Sequence, residues 1–561
     1  MTLHSEIRGK REVAPRSPQE VMRLARLGSS HPNRLSFMRI LLRRAARENW
    51  TTRLTIWDLD ANGVGTAVYE VTTAQRTYSL ICYSHDLPAE MRSDRVIAEA
   101  WDATFTLFDG SPDADDIERL RAHVPLQEAG RMTERELTLS RANRSVRLFE
   151  HVVECLAAGR QPERDRLIDT GYLMRTTAVY GSGKFGLADR VAISDRPELQ
   201  APFQVEMLTV WLIRQFTVDL VEHLALSREE GAVPLDPELR RLLGVGNSTG
   251  LGMAPFLLRH PRLIHQWFKV REDALTAARL QPVCPESWER FRQLVGGLPR
   301  HLADWQSEHP LQRLKLEELQ NDVRILAEII KTGSPTNLDL WDDVWQLGQA
   351  DLGLEGQELL LSLILELFPE IVDTFATDLS ADEECITLID GSKSVRDLMA
   401  EIERSYGWAL ALDWDDPSSI ARLWYVSEEK LEPRLAERFD EDLGSWEQPL
   451  GIARDVSGLH QACMDADPDS TIRDFLRTRP EFRHVVRRVQ MIRECPFGEI
   501  YDNTISAGML PIDMLRAKLS FFGATSFDPR SDRWVRVSMF QRAPGPDELS
   551  VAEADSWMYR G

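Results

Sequence analysis

Two stretches of this chain carry residue types whose spacing points to chemistry. The first is RTTAVYGSGKFGLADR, Arg175–Arg190, where Gly181, Gly183 and Gly186 surround Lys184. Glycines at this density let backbone approach a ligand or move. Lys184 and Tyr180 are the candidate proton shuttles, the lysine only where burial lowers its pKa. Arg175 and Ser182 are candidate anion contacts. A P-loop is excluded, because position 178 is Ala where the leading glycine belongs and Phe185 replaces the magnesium-binding hydroxyl.

The second stretch is GVGNSTGLGMAPFLLRHPRLIHQW, Gly244–Trp267. Gly244, Gly246, Gly250 and Gly252 bracket Asn247, Ser248 and Thr249, and an apolar, helix-like run with Pro255 near its start follows. A helix start offers free N–H groups and a positive dipole end, so the arrangement reads as a cradle for carboxylate or phosphate. Arg259 and His260 would complete the anion site. Thr249 stands where a dinucleotide fingerprint needs glycine, and PELRRLLG before the cradle reads as helix, which argues against a Rossmann site. The bland alternative is a helix–helix connector with a glycine cap. His260 and His265 are five apart, poor spacing for one helical face, and no HExxH occurs.

Weaker signals read as structure. Asp58, Asp60, Asn62 and Gly63 mimic the start of a calcium loop, but position twelve is Tyr69, and Asn-Gly between strand-like flanks is a hairpin signal. Ser84-His85-Asp86 is a strand end, since adjacent residues cannot converge as a triad. Cys495 is a nucleophile only where a base or positive charge activates it, and Arg493 alone does not suffice. Asp502, Asn503, Thr504 and Gly508 line a pocket or cap the helix after them. The seven arginines of Arg473–Arg493 read as a solvated helix face.

Composition bounds the rest. Over 561 residues a net charge of −22 disfavours nucleic-acid and anionic-membrane partners, which would be repelled. Six cysteines without a CxxC pair argue against structural zinc and for reduced thiols in a cytoplasm. The polar N-terminus lacks a signal core, and the apolar runs Val205–Leu226 and Leu359–Phe368 read as buried core helices rather than membrane spans.

The elements that must position the two stretches are mixed. Length suggests about three to four domains. Residues 1–50 form a helical arm, its Leu35–Asn49 helix laying arginines against the acidic remainder of the protein. Residues 51–130 read as a small antiparallel sheet domain. The Thr133-x-x-Glu136 capping box predicts a helix to about Ala158, with Val146, Phe149, Val153 and Leu156 inward. Residues 131–335 read as a helical domain carrying both glycine-rich loops, and residues 336–561 as a mixed α+β domain. The fold class is α+β, predominantly helical and multi-domain.

The resulting expectation is an enzyme acting on a small anionic molecule by lyase-like acid–base chemistry, with no obligatory metal and no cofactor announced by a motif; the composition leaves room for a homo-oligomer. Two rivals stand beside it. One is a scaffold or regulatory interaction protein using its fifteen tryptophans and its arginine segment. The other is a nucleotide- or flavin-binding oxidoreductase.

Overall fold

The chain's strongest local signal, the Asp60–Gly63 turn, sets the first hairpin of the sheet. In the computed structural model, which describes residues 13–92, 100–123, 133–181, 193, 195–250, 261–303, 310–379, 388–414, 439–440, 445–446, 452–501, 517, 519–523, 526–528 and 534–549, strand β1 (Thr51–Leu59) pairs antiparallel with β2 (Gly65–Thr72). The Asp60 carboxylate accepts the N–H groups of Asn62 and Val64 at 2.8 and 2.9 Å, and Gly63 supplies a φ of 74°. The aspartate thus serves the turn. RTYSLICYS and ATFTLF form β3 (Thr77–Ser84) and β4 (Ala103–Asp109), continuing the antiparallel meander.

The sheet does not stop there, and the expectation of a small antiparallel domain is corrected. Strands β5 (Glu136–Arg144), β6 (Tyr172–Gly181) and β7 (Gly244–Gly250) follow. A separate two-strand ladder joins β8 (Phe439–Asp440) to β9 (Ser445–Trp446). Then β10 (Ser526–Asp528) and β11 (Trp534–Met539) return to the main sheet. Among the described residues its order is β1-β2-β3-β4-β5-β6-β7-β11-β10, nine strands. All pairings in it are antiparallel except β6 with β7, which is parallel, so the sheet is mixed.

Two local readings fail for one reason. The helix expected after Thr133 is strand β5, and a helix begins only at Phe149. Thr133 does donate its N–H and hydroxyl to the Glu136 carboxylate, at 3.2 and 3.1 Å, but this turn leads into a strand. Val146, expected inward, is 52% exposed. Likewise Gly244–Gly250, expected as a loop, is strand β7, held between β6 and β11. Pairing on both edges supplies what its side-chain pattern does not. Its first two glycines also have packing reasons. A Cβ at Gly244 would lie 2.3 Å from the Met539 carbonyl oxygen, and one at Gly246 would lie 2.7 Å from the Tyr172 ring.

One face of the sheet packs on the expected central helix, Gln204–Arg228. Tyr69 of β2 donates to Asp219 at 2.6 Å, Phe105 of β4 meets Phe216 edge-on at 5.6 Å, and Thr138 of β5 bonds Thr209 at 2.8 Å. Burial first, and then the neighbouring Asp219, raises the Tyr69 hydroxyl well above the ordinary tyrosine range, so the hydroxyl keeps its proton and donates. Arg214, buried in this helix, donates to the carbonyls of Leu243 and Ala543 at 2.7 and 2.9 Å. These bonds tie the helix to the entry of β7 and to the segment after β11.

The arginines of the N-terminal segment do meet carboxylates, but inside the protein rather than on its surface. Helix Phe37–Arg47 buries Phe37, Met38, Leu41 and Leu42 completely and leaves Arg39 1% exposed. Its partner is helix Leu354–Leu367, which buries Glu355, Glu358 and Glu366 on the face turned toward residues 16–39. Arg39 pairs with both oxygens of Glu366. Arg16 and Arg26 both donate to Glu358, at 2.6 and 2.9 Å, and Arg16 also reaches Glu272 at 2.8 Å. Ser29 donates to Glu355 at 3.1 Å.

A second core joins helices Val395–Leu410, Ile452–Met464, Ile472–Thr478 and Arg483–Ile492. Its tie to the remainder is buried Glu499, which accepts from Tyr406 at 2.9 Å and from Arg488 at 2.8 Å. Among the described helices none is long and apolar enough to cross a membrane.

Burial alone would push Glu358 up, but Arg16, Arg271 and Arg26 overcome it and hold the carboxyl at about 2. A carboxylate depressed in the folded state stabilises above its unfolded pKa, near 4.3, and that contribution is lost as pH falls toward about 2. Replacing Glu358 by Ala therefore lowers the unfolding free energy by about 3–5 kcal/mol at pH 7, because the Arg16, Arg26 and Arg271 guanidiniums stay buried without their shared partner. The difference from wild type shrinks below about pH 4. Urea titrations at pH 7 and pH 3.5 measure both effects. Gly246→Ala loses about 1–3 kcal/mol by the same measurement, from the clash with Tyr172.

Candidate functional site

The parallel pair β6–β7 brings the two chemically suggestive stretches side by side. Tyr172 stands opposite Gly244, Arg175 opposite Gly246, and Thr176 opposite Asn247. From that last pair β6 runs five more residues to Gly181 and β7 three more to Gly250. Parallel strands share a direction, so Gly181 and Gly250, the residues before segments 182–192 and 251–260 of the chain, lie toward the same end of the sheet. The two glycines are offset along the strands by two residues, about 7 Å at the usual rise. The carboxyl ends of adjacent parallel strands are where open sheets present their ligand crevices.

Each expected site residue can be placed against this frame. Arg175 lies in β6, 2% exposed, between Asn143 of β5 and Gly246 of β7. Tyr180 is the penultimate residue of β6, opposite Leu139. Asn247, Ser248 and Thr249 lie within β7, opposite Val537, Arg536 and Val535 of β11. Ser182, Lys184, Arg259 and His260 lie outside the described residues. The structure thus places Arg175, Tyr180 and the Asn247–Thr249 backbone on one strand pair. The helix Pro261–Arg279 begins immediately after the second segment.

The same end of the sheet meets the start of the central helix. Gly181 pairs with Thr138, and Thr138 bonds Thr209 in that helix. One turn earlier stands Glu206, 4% exposed. No sequence pattern marked Glu206, because one carboxylate in an apolar run matches no motif.

His265, the second histidine of RHPRLIH, has a structural position. Its Nδ1 accepts the Phe497 N–H at 3.2 Å, and its ring stacks on Phe497. Burial, then Lys269 and Arg262, pulls its pKa down to about 4, so the ring is neutral and fit to accept that bond.

Two arrangements escaped the sequence reading. Arg43, Arg44 and Arg47 line a cavity of about 220 Å³ together with Pro197 and Asp373. Arg43 reaches Asp373 at 2.7 Å, yet burial and then Arg34 bring it down to about 9. The signal was a run of arginines at i, i+1 and i+4, indistinguishable in sequence from ordinary ion pairing. The second is His151, Cys155 and Glu163, whose side-chain ligand atoms lie within 4.8 Å of one another. Its signal, His-x-x-x-Cys on one helical face, lacks the paired cysteines that mark a metal knuckle.

No family model, curated protein or solved structure matches this chain. The protein is described by its architecture: a predominantly helical α+β chain whose mixed sheet packs on one buried helix.

The lowered His265 pKa makes protonation unfavourable to the folded state, so its contribution is full above about pH 6.5 and falls away toward pH 4. With solvent screening the loss is about 1–2 kcal/mol. His265→Gln cannot gain that proton. Thermal unfolding between pH 4 and 7 is expected to show a shallower acid dependence for the variant than for wild type.

Proposed function

We propose that the chain is an enzyme that binds a small carboxylate or phosphate where β6 and β7 end and acts on it by acid–base chemistry of the lyase type. The observation that carries the reading is the parallel register, Thr176 opposite Asn247, which starts both glycine-rich segments from neighbouring points. In this reading Arg175 and Arg259 neutralise the bound anion, with the Ser182 amide and the polar residues Asn247, Ser248, Thr249 and His260 completing its contacts. Lys184 or Tyr180 moves the proton. Proton abstraction next to a carboxylate asks for charge stabilisation and a positioned base, and these residue types supply both.

The rival reading, an interaction protein, draws on a different observation. Among the described residues β1 is an edge strand, and Leu54 and Leu226, 46% and 60% exposed, flank an open hollow of about 350 Å³ beside Trp57. Exposed apolar side chains at a sheet edge suit a partner surface. The third reading, a nucleotide- or flavin-binding oxidoreductase, is tested for flavin by the visible absorbance spectrum of the purified chain.

Thermal unfolding of the full chain against phosphate, pyrophosphate and small mono- and dicarboxylates tests the proposal. The expected result is a midpoint raised by a few degrees by one class of anion near saturation. Lys184→Met, with its unliganded midpoint unchanged, abolishes turnover of that ligand. The absence of any anion-dependent rise overturns the anion site. Undiminished turnover in Lys184→Met removes the lysine from proton transfer and leaves Tyr180.

A further inference from the structure

We propose that His151, Cys155 and Glu163 form a binding site for one divalent cation of the zinc type, separate from the β6–β7 junction. His151 and Cys155 are four residues apart on helix Phe149–Ala157, so both project from one face. The chain reverses at Gly159, whose φ is 70°, and returns Glu163 to the same place as the residue before helix Arg164–Thr170. The reversal is fixed by backbone bonds from Gly159 to Leu156 at 3.0 Å and from Arg160 to Cys155 at 3.1 Å.

The geometry is close to what a tetrahedral ion requires. His151 Nε2 lies 2.7 Å from Glu163 Oε2 and 3.6 Å from Cys155 Sγ. Bonds of about 2.0 Å to nitrogen and oxygen and 2.3 Å to sulfur put tetrahedral ligand atoms roughly 3.3–3.7 Å apart. The imidazole–thiol spacing already fits. The imidazole–carboxylate spacing must widen from 2.7 Å to about 3.3 Å, and the carboxylate, within 4.8 Å of the thiol, must come to bonding range of the same ion; the Glu163 side chain, 59% exposed, is free to make that adjustment. Cys155 is fully buried and the His151 side chain is 14% exposed, so these two ligands are held in place. One thiolate, one imidazole and one carboxylate form a borderline donor set that suits zinc better than magnesium or calcium. Three protein ligands leave the fourth position to water or a further ligand.

The cationic neighbours define the proton balance. Without a cation, His151 Nε2–H donates to Glu163 while Nδ1 accepts from Arg166 at 3.0 Å; Arg166 also donates to the Arg147 carbonyl at 3.3 Å, and Arg160 lies 3.6 Å from Glu163. Binding puts the cation on Nε2 and moves the ring proton to Nδ1, so exposed Arg166 must turn away. The Cys155 thiol loses its proton to solvent. One proton is released for each cation bound.

Cobalt(II) titration of the full chain tests the site, because a cobalt–thiolate bond gives a near-ultraviolet charge-transfer band. The expected result is one equivalent bound, displaced by zinc, with one proton released. Cys155→Ser removes the band, Glu163→Gln weakens binding by at least about tenfold, and Arg166→Met strengthens it. Cys284→Ser, at the partly exposed thiol, leaves the titration unchanged. No band in the wild-type chain, or a band that survives Cys155→Ser, overturns the proposal. Should Cys155→Ser fail to fold, Glu163→Gln decides, since its exposed side chain is dispensable to folding: unchanged affinity there overturns the site.

Discussion

Glu358 and Glu366 are completely buried in the middle of an apolar helix, and the arrangement of residues 16–39 follows from that. An isolated carboxylate in such a place is prohibitively costly, and only close, well-aligned guanidiniums bring the ionised form within reach. Arg16, Arg26 and Arg271 gather around Glu358, and Arg39 around Glu366. The N-terminal segment and helix Leu354–Leu367 therefore depend on one another for their buried positions. Buried ion pairs of this kind contribute little net stability beside an apolar core of the same shape. Their effect is to exclude other registers, since a slip of one turn would leave several charges unpaired.

The same logic repeats on a smaller scale. Glu499, fully buried, accepts from Tyr406 and Arg488 and so fastens the second helical core to the turn at Pro496–Gly498. Nearby, His265 accepts the Phe497 N–H and holds that turn to helix Pro261–Arg279. Chain segments hundreds of residues apart are joined by polar groups that local pattern does not distinguish from solvated ones. The acidic surplus of the sequence thus conceals a subset of carboxylates whose partners are arginines far away in the chain.

The sheet poses the converse problem. Its first four strands announce themselves by alternation and by the Asp60–Gly63 turn. Strand β7 does not, because GVGNSTG carries one apolar side chain and three glycines. It exists as a strand because β6 and β11 satisfy its backbone on both edges, and its first glycines admit the Tyr172 ring and the Met539 carbonyl. This changes the weight of those glycines: Gly244 and Gly246 serve close packing, while the function-bearing interest shifts to the strand ends. The parallel pairing of β6 with β7 is the feature that makes one common site conceivable, and no spacing in the sequence encodes it.

The sequence by itself determined the predominantly helical α+β class, the β1–β4 meander, the central helix and the amphipathic pattern of the helices around it. Each rests on periodicity or turn chemistry within about twenty residues. Only the tertiary structure decided that the sheet is large and mixed, that residues 136–144 and 244–250 are strands, and that Arg39 and Arg43 of Phe37–Arg47 face inward. It also decided that His151 and Cys155 meet Glu163 across a reversal of the chain. The physical reason is the same throughout: backbone pairing and charge pairing are satisfied by groups remote in sequence, so a segment's own composition fixes what it needs and leaves open which partner supplies it.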